Sequence, residues 1–274
     1  MTTATHRIVV DEPRPGVRRI TLDRPEKRNA IDSAMRRALL DALDDHDADE
    51  SVRVTVVRGA GPCFSSGYDL SSPLLADPPV RTAPGDGAWT RQASAGWFHL
   101  WDLAKPVIAQ VHGYAYAGGT ELAAACDLVY VADDARIGYP VVRVASPPDW
   151  QYHLPLLGLR HAMEAMLTGD TIDGVEAVRV GWANRSFAPE RLEDEVLAVA
   201  ERVAGIPSDL AQINKRMVHR QFEVLGGRAA IRAGQEFQAL AAHQATAAAF
   251  RADPLGAMKR ALGSTPPPAA DGDA

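Results

Sequence analysis

One stretch constrains this chain more than any other: residues 105–122, KPVIAQVHGYAYAGGTEL. Its apolar β-type run stops at glycines, and a helix is predicted within a few residues, carrying a single carboxylate, Glu121, among small and apolar neighbours. Gly118 and Gly119 allow backbone to approach a ligand without Cβ interference. The unpaired amides of a helix start favour an anion or a developing oxyanion. A second segment has the same form: residues 51–59 read as a strand rich in β-branched residues, running into a turn at residues 60–70. There Gly67 allows a tight exit, and Asp69 suits the first turn of a helix. Two such corners point to two backbone donors converging on one oxygen beside a carboxylate, although either corner alone is better explained as the closing of a turn.

Composition bounds the classes. At 274 residues and 46% hydrophobic content the chain can bury a full core, and with no internal low-complexity linker one large domain is expected over residues 1–263. No apolar run reaches 18 residues, and residues 1–10 lack a signal-peptide core. Cys63 and Cys126 show neither C-x-x-C spacing nor a disulfide framework, which points to a reducing, cytoplasmic setting. A net charge of −6 argues against nucleic-acid or membrane partners. The eight histidines have no metal-ligand spacing, so no metal is expected. Residues 59–64 suggest a dinucleotide loop only superficially, because the third glycine is missing and proline is poor at that helix start.

Ile31, Met35, Leu39, Ala42 and Leu43 fall on one helical face, with Asp32 or Ser33 as cap, and read as core. Strands and helices alternate over the first half; after residue 150 helices dominate, at 189–204, 208–224 and about 228–250. Residues 73–89, rich in proline and glycine, and the tail 264–274 read as mobile or disordered. The first of these is placed either as a lid over a pocket or as an idle loop.

Taken in order, the motifs resemble the crotonase (enoyl-CoA hydratase/isomerase) superfamily across about residues 7–255. They are RPEKRNAI at 24–31, FSSGYDL at 64–70, the 105–122 stretch, CDLVYVA at 126–132, IGYP at 137–140 and LTGDTID at 167–173. The resemblance implies an α/β fold, a crotonase-like ββα superhelical core over about 7–200, and C-terminal helices at about 201–255 that build a homotrimer, often within a hexamer. It implies that the backbone N–H groups of Tyr68 and Gly118 form an oxyanion hole for the thioester carbonyl of an acyl-CoA, with Glu121 as principal acid/base. Coenzyme A then enters as part of the substrate, and no separate cofactor is called for. On the same grounds Ala30, Ser66, Gly67, Asp69, Leu70, Tyr114, Gly119, Pro140 and Val141 stand at substrate-contacting positions. Arg24, Lys27 and Arg28 form the local basic patch that CoA would need in an acidic protein; a solvated charged turn is the alternative.

The chain departs from typical enoyl-CoA hydratases at one position. Those enzymes hold a water between two glutamates, and the position of the second is Val141 here. A valine neither holds nor polarises water. Another carboxylate, Asp149, lies 31 residues after Gly118, where dienoyl-CoA isomerases and an aryl-CoA dehalogenase carry a catalytic aspartate. It is placed either in catalysis or as the cap of a helix over residues 150–157. His153, one helical turn on, is a candidate hydrogen-bond partner for it. Tyr68, Trp89, Trp97, Tyr139 and Trp150 either line a pocket for a bulky acyl group or serve as core. The readings that follow are an enoyl-CoA hydratase or isomerase, a C–C or thioester hydrolase, and a catalytically silent acyl-CoA-binding protein.

Overall fold

The computed structural model describes residues 7–71 and 88–263; the 264–274 tail and nearly all of the 73–89 segment lie outside them. The framework is a six-stranded sheet in the order β1-β2-β3-β4-β6-β8. Strands β1 (Ile8–Arg14) and β2 (Val17–Leu22) form an antiparallel hairpin, and β3 (Val54–Gly59), β4 (Val107–Val111), β6 (Leu128–Ala132) and β8 (Arg185–Phe187) continue it in parallel. All of β4 is buried, as is β3 apart from Arg58. Both therefore read as mainly apolar on both faces rather than alternating, with Thr55 and Gln110 as buried polar exceptions. A second, two-stranded parallel sheet pairs β5 (Tyr114–Tyr116) with β7 (Arg136–Gly138).

The strand expected over residues 51–59 begins only at Val54, because Asp49 turns the chain first: its carbonyl accepts Val52 N–H at 3.0 Å and its side chain accepts Ser51 N–H at 2.8 Å. Helix α1 (Ser33–Ala48) is capped as expected, with the Asp32 carboxylate accepting Met35 N–H at 2.7 Å. It buries Met35, Leu39 and Leu43 against the sheet core, where truncating one such side chain costs about 2–5 kcal/mol. Helix α2 (Ala88–Asp102) follows, then α3 (Gly118–Ala125), whose eight residues are all buried. Next come α4 (His153–Thr168), α5 (Gly174–Arg179) and α6 (Leu192–Ala204), the last packing Val196, Val199 and Ala200 toward β3, β4 and β6.

The expected helix at 208–224 forms as α7 (Ser208–Val224). The single helix expected over 228–250 does not. It divides into α8 (Gly227–Ala241) and α9 (Ala245–Ala252), followed by α10 (Pro254–Gly263). The break falls where His243 N–H and Gln244 N–H turn back to the carbonyls of Leu240 and Ala241, and Arg251 donates to the freed Ala242 carbonyl at 2.9 Å. Alanine content favours helix on both sides and is silent about the corner between them. Among the described residues, no helix is long and apolar enough to cross a membrane.

Candidate active site

Both glycine corners close on one point. The first runs from β5 through Ala117 into α3, and Ala117 holds a positive φ of 49° with ψ of −125°, a conformation costly for a residue with a Cβ. Its neighbours fix it there: its N–H reaches Gly138 O at 3.1 Å, and its carbonyl accepts Thr120 N–H at 2.9 Å and Thr120 Oγ1 at 2.7 Å. The amide of Gly118 then opens α3, where no carbonyl of the helix's own ladder can receive it. The second corner passes through Gly67, at φ 96°. A Cβ there would lie 2.8 Å from Tyr116 O and 3.0 Å from Gly118 N, and one at Gly118 would strike the Tyr68 ring at 2.8 Å. The two backbones touch because both residues are glycine.

Local bonds brace this contact. Ser65 Oγ donates to Asn29 O at 2.8 Å and accepts Gly67 N–H at 3.1 Å, while Ile31 and Tyr68 form a parallel bridge. The helical turn expected at Asp69 is absent through Ser71. The Asp69 carboxylate instead closes a turn by accepting Ser71 N–H and Oγ, and it accepts Arg24 Nη1 at 2.9 Å. Arg24 is buried, and the same nitrogen reaches Ala30 O at 2.7 Å and Asp32 at 3.2 Å. It thus clamps the 24–32 loop to the Gly67 corner, leaving Lys27 and Arg28 as the exposed positive charges of that loop, beside exposed Glu26. Ser66 N–H bonds Arg28 O, and Tyr114 stacks on Tyr116. Leu70 is half-buried and Gly119 fully so; Pro140 is buried, with half-buried Val141 beside it in a 3-10 turn.

Glu121 projects from the first turn of α3 and is completely buried; Asp149, 1% exposed, meets it from the segment before α4. Tyr68 links the two: its hydroxyl donates to Glu121 Oε2 at 3.1 Å and lies 3.4 Å from Asp149 Oδ2. Trp97 Nε1–H donates to that hydroxyl at 2.9 Å. Glu121 Oε1 is buried with no hydrogen bond of normal geometry among the described residues, although Asp149 and the Trp150 amide stand close enough to influence its ionisation. Burial, then the Asp149 charge, pushes the Glu121 carboxyl well above the usual range. Burial likewise raises Asp149, to about 6, against hydrogen bonds to its charged form. Two carboxyls this close cannot both ionise cheaply, so at neutral pH the pair retains one proton.

Asp149 caps no helix. The helix after it starts at His153 rather than at residue 150, behind Tyr152, which offers no side-chain cap. His153 does not partner Asp149 either: its Nδ1 bonds Gln151 Oε1 at 2.7 Å, its ring stacks on Tyr152 at 4.1 Å, and burial depresses its pKa to about 3. The aromatic group divides. Trp97 and Tyr139 stand at the carboxyl pair, with Trp97 stacked on Tyr68 at 6.4 Å, whereas Trp150 packs edge-on against Phe98 and Trp101 in the core. The Trp89 side chain lies outside the description.

Two features escaped the sequence reading. The sequence gives Tyr68 an oxyanion amide and a place among aromatic side chains of pocket or core, but no sign that its hydroxyl bonds Glu121 and Asp149. The other is Arg36 of α1, whose guanidinium sits 5.8 Å from the Trp97 ring centroid and favours the ionised form of Asp149. No periodicity separates it from an ordinary exposed helical arginine.

Residues 12–250 match the family model described as enoyl-CoA hydratase/isomerase. A probable enoyl-CoA hydratase of Rhizobium meliloti is 33% identical over 208 residues, covering 75% of this chain and 78% of that protein. The crystal structure of an enoyl-CoA hydratase/isomerase from Xanthobacter autotrophicus Py2 superposes with a TM-score of 0.85 at 32% identity, covering 95% of this chain and 99% of that one. An enoyl-CoA hydratase from Mycobacterium smegmatis gives 0.84 at 29% identity, over 93% and 92%. With residues 12–250 matching the family model and both glycine corners inside that region, the chain belongs to the enoyl-CoA hydratase/isomerase family of the crotonase superfamily.

Proposed function

We propose that the protein transfers protons on an enoyl-CoA thioester, with Glu121 and Asp149 as its acid/base pair and double-bond isomerisation as its reaction. The observation that carries this reading is the buried pair bridged by the Tyr68 hydroxyl. The thioester oxygen binds the N–H groups of Tyr68 and Gly118, which bear the enolate charge. The Asp149 carboxylate takes a proton from a substrate carbon: a C–H bond breaks, an O–H bond forms, and the electron pair moves into the enolate. The Glu121 carboxyl then donates its proton to a different carbon as the enolate collapses, so the double bond has moved and nothing has been added. Return of one proton from Asp149 to Glu121 resets the pair. Lys27 and Arg28 meet the CoA phosphates, and no further cofactor is required.

Hydration is the second reading, favoured by the printed names of the relatives. It is weakened by Val141, which leaves the usual second water-holding position without a polar atom. The proposal includes a homotrimer or a dimer of trimers. It is supported by apolar side chains left outward on α7, where Ile213 is 61% exposed and Val218 59%. Light scattering of the purified protein tests that part.

The activity is tested by incubating the protein in heavy water with linear, branched and cyclic 2- and 3-enoyl-CoAs and weighing the products. Isomerisation moves the double bond without adding water, and deuterium enters at carbon only as far as the carboxyl pair exchanges with solvent between turnovers. A product heavier by one water refutes isomerisation in favour of hydration, and release of free CoA or a shortened chain favours hydrolysis. Binding without turnover on every member leaves a silent acyl-CoA-binding protein.

A further inference from the structure

The reading above rests on the Tyr68 hydroxyl bridging the carboxyl pair but gives only the Tyr68 amide a step in the reaction. Yet the phenol is the best-placed group in the site. A phenol has one proton to give and can accept in return, whereas an indole N–H can only donate. Trp97 therefore occupies a lone pair of the Tyr68 oxygen from 2.9 Å, and the hydroxyl proton turns to the opposite side, where Glu121 Oε2 and Asp149 Oδ2 wait at 3.1 and 3.4 Å. Trp97 cannot drift: it is fully buried, stacks within 19° of parallel on Tyr68, and is covered by Arg36, which Gln92 O and Ala93 O hold at 2.8 and 2.9 Å.

We propose that the Tyr68 side chain, oriented by Trp97, is the positioning residue of the Glu121–Asp149 pair, supplying the one hydroxyl proton for which the two carboxyls compete. This rests on the reading that the pair moves the substrate proton. A hydrogen bond donated to a carboxylate favours its ionised form, and the Tyr68 hydroxyl acts in that sense on both Glu121 and Asp149 against the opposing effect of burial. Tyr68 itself stays protonated, because burial and the two adjacent carboxyls push its own ionisation far above the phenol range. Among the described residues, the other titratable groups facing the pair are Arg36 from α1, which favours the charged form of Asp149, Tyr139 from the turn after β7, and Tyr152 from the segment before α4. The phenol therefore donates at every working pH and follows the charge from one carboxyl to the other as the proton moves.

The test needs no substrate. Infrared carbonyl bands of buried protonated carboxyls are titrated in the full-length protein, with Glu121→Gln and Asp149→Asn assigning the bands. Tyr68→Phe deletes one atom and keeps the backbone amide. It should move the titration midpoint of the pair up by about 1–2 pH units, the worth of a hydrogen bond to a charged group. Trp97→Phe should move it in the same direction by less, and Trp97→His, which restores a ring N–H, should reverse part of that movement. Midpoints equal to wild type in folded Tyr68→Phe overturn the proposal; should that variant fail to fold, equal midpoints in wild type and Trp97→Phe overturn it. If the midpoint moves while no enoyl-CoA is turned over by the wild type, the positioning stands and the isomerase reading fails.

Discussion

Replacing Asp149 with asparagine should make the protein slower and more stable, and the gain in stability should depend on pH. Asp149 is buried, and its pKa rises from 3.8 to about 6 on folding. The sign follows from proton counts. Between those two values the folded state binds more protons than the unfolded chain, so stability is greatest below pH 3.8 and is lost as pH rises toward 6. Above that window the fold carries the whole cost of a desolvated charge, about 3 kcal/mol as an upper bound. Asparagine has nearly the same shape, can accept from Tyr68, and never ionises. At pH 7.5 Asp149→Asn should therefore raise Tm by several degrees at fixed protein concentration, since 1 kcal/mol is worth about 2–4 °C in a chain of this size class. The difference should vanish near pH 4. Turnover should fall about 10²- to 10⁴-fold, as expected when a general base is removed. In the wild type the same ionisation should give the rate an acid limb centred near pH 6. Calorimetric scans at the two pH values and a pH–rate profile decide the matter. A variant less stable than wild type at pH 7.5, or equally active, refutes the view that Asp149 carries the buried charge.

Glu121→Gln keeps the side chain's shape and should lower turnover about 10²- to 10⁴-fold, with acyl-CoA affinity by titration calorimetry unchanged if, as proposed, binding rests on backbone donors and the exposed basic loop. Val141→Glu places a carboxyl at the usual second hydratase position; a gain in hydration of crotonyl-CoA by the folded variant would show that only this group was missing, and no gain is expected if the site is built for isomerisation. Arg24→Met removes the clamp on Asp32 and Asp69, both nearly buried. It should cost about 3–5 kcal/mol in denaturant unfolding, because Asp69 loses its buried counter-charge, while Asp32 keeps Arg7 at 3.1 Å.

Much of the framework was legible because it rests on local rules. Asp32 caps α1 as its position before an apolar helical face requires, and β3 and β4 are buried runs of β-branched residues. The glycines of the two corners signalled a close backbone approach, since no other residue could stand at Gly67 and Gly118 without striking Tyr116 O and the Tyr68 ring. The Ala242–Gln244 corner was not legible, because helix propensity is high on either side of it.

The chemistry of the site belongs to the tertiary structure. Glu121 and Asp149 are 28 positions apart in the chain, and Trp97 and Tyr68 precede Glu121 by 24 and 53 positions. Sequence spacing left Asp149 poised between a helix cap and a catalytic group; three-dimensional packing sent its carboxylate to Glu121 and began the helix at His153 instead. Arg24 looked like part of a basic patch and was turned inward by Asp69, which no local pattern encodes. Ionisation follows the same division. A carboxyl's pKa is set by the water it loses and the charges it meets, and both depend on which distant segments pack around it.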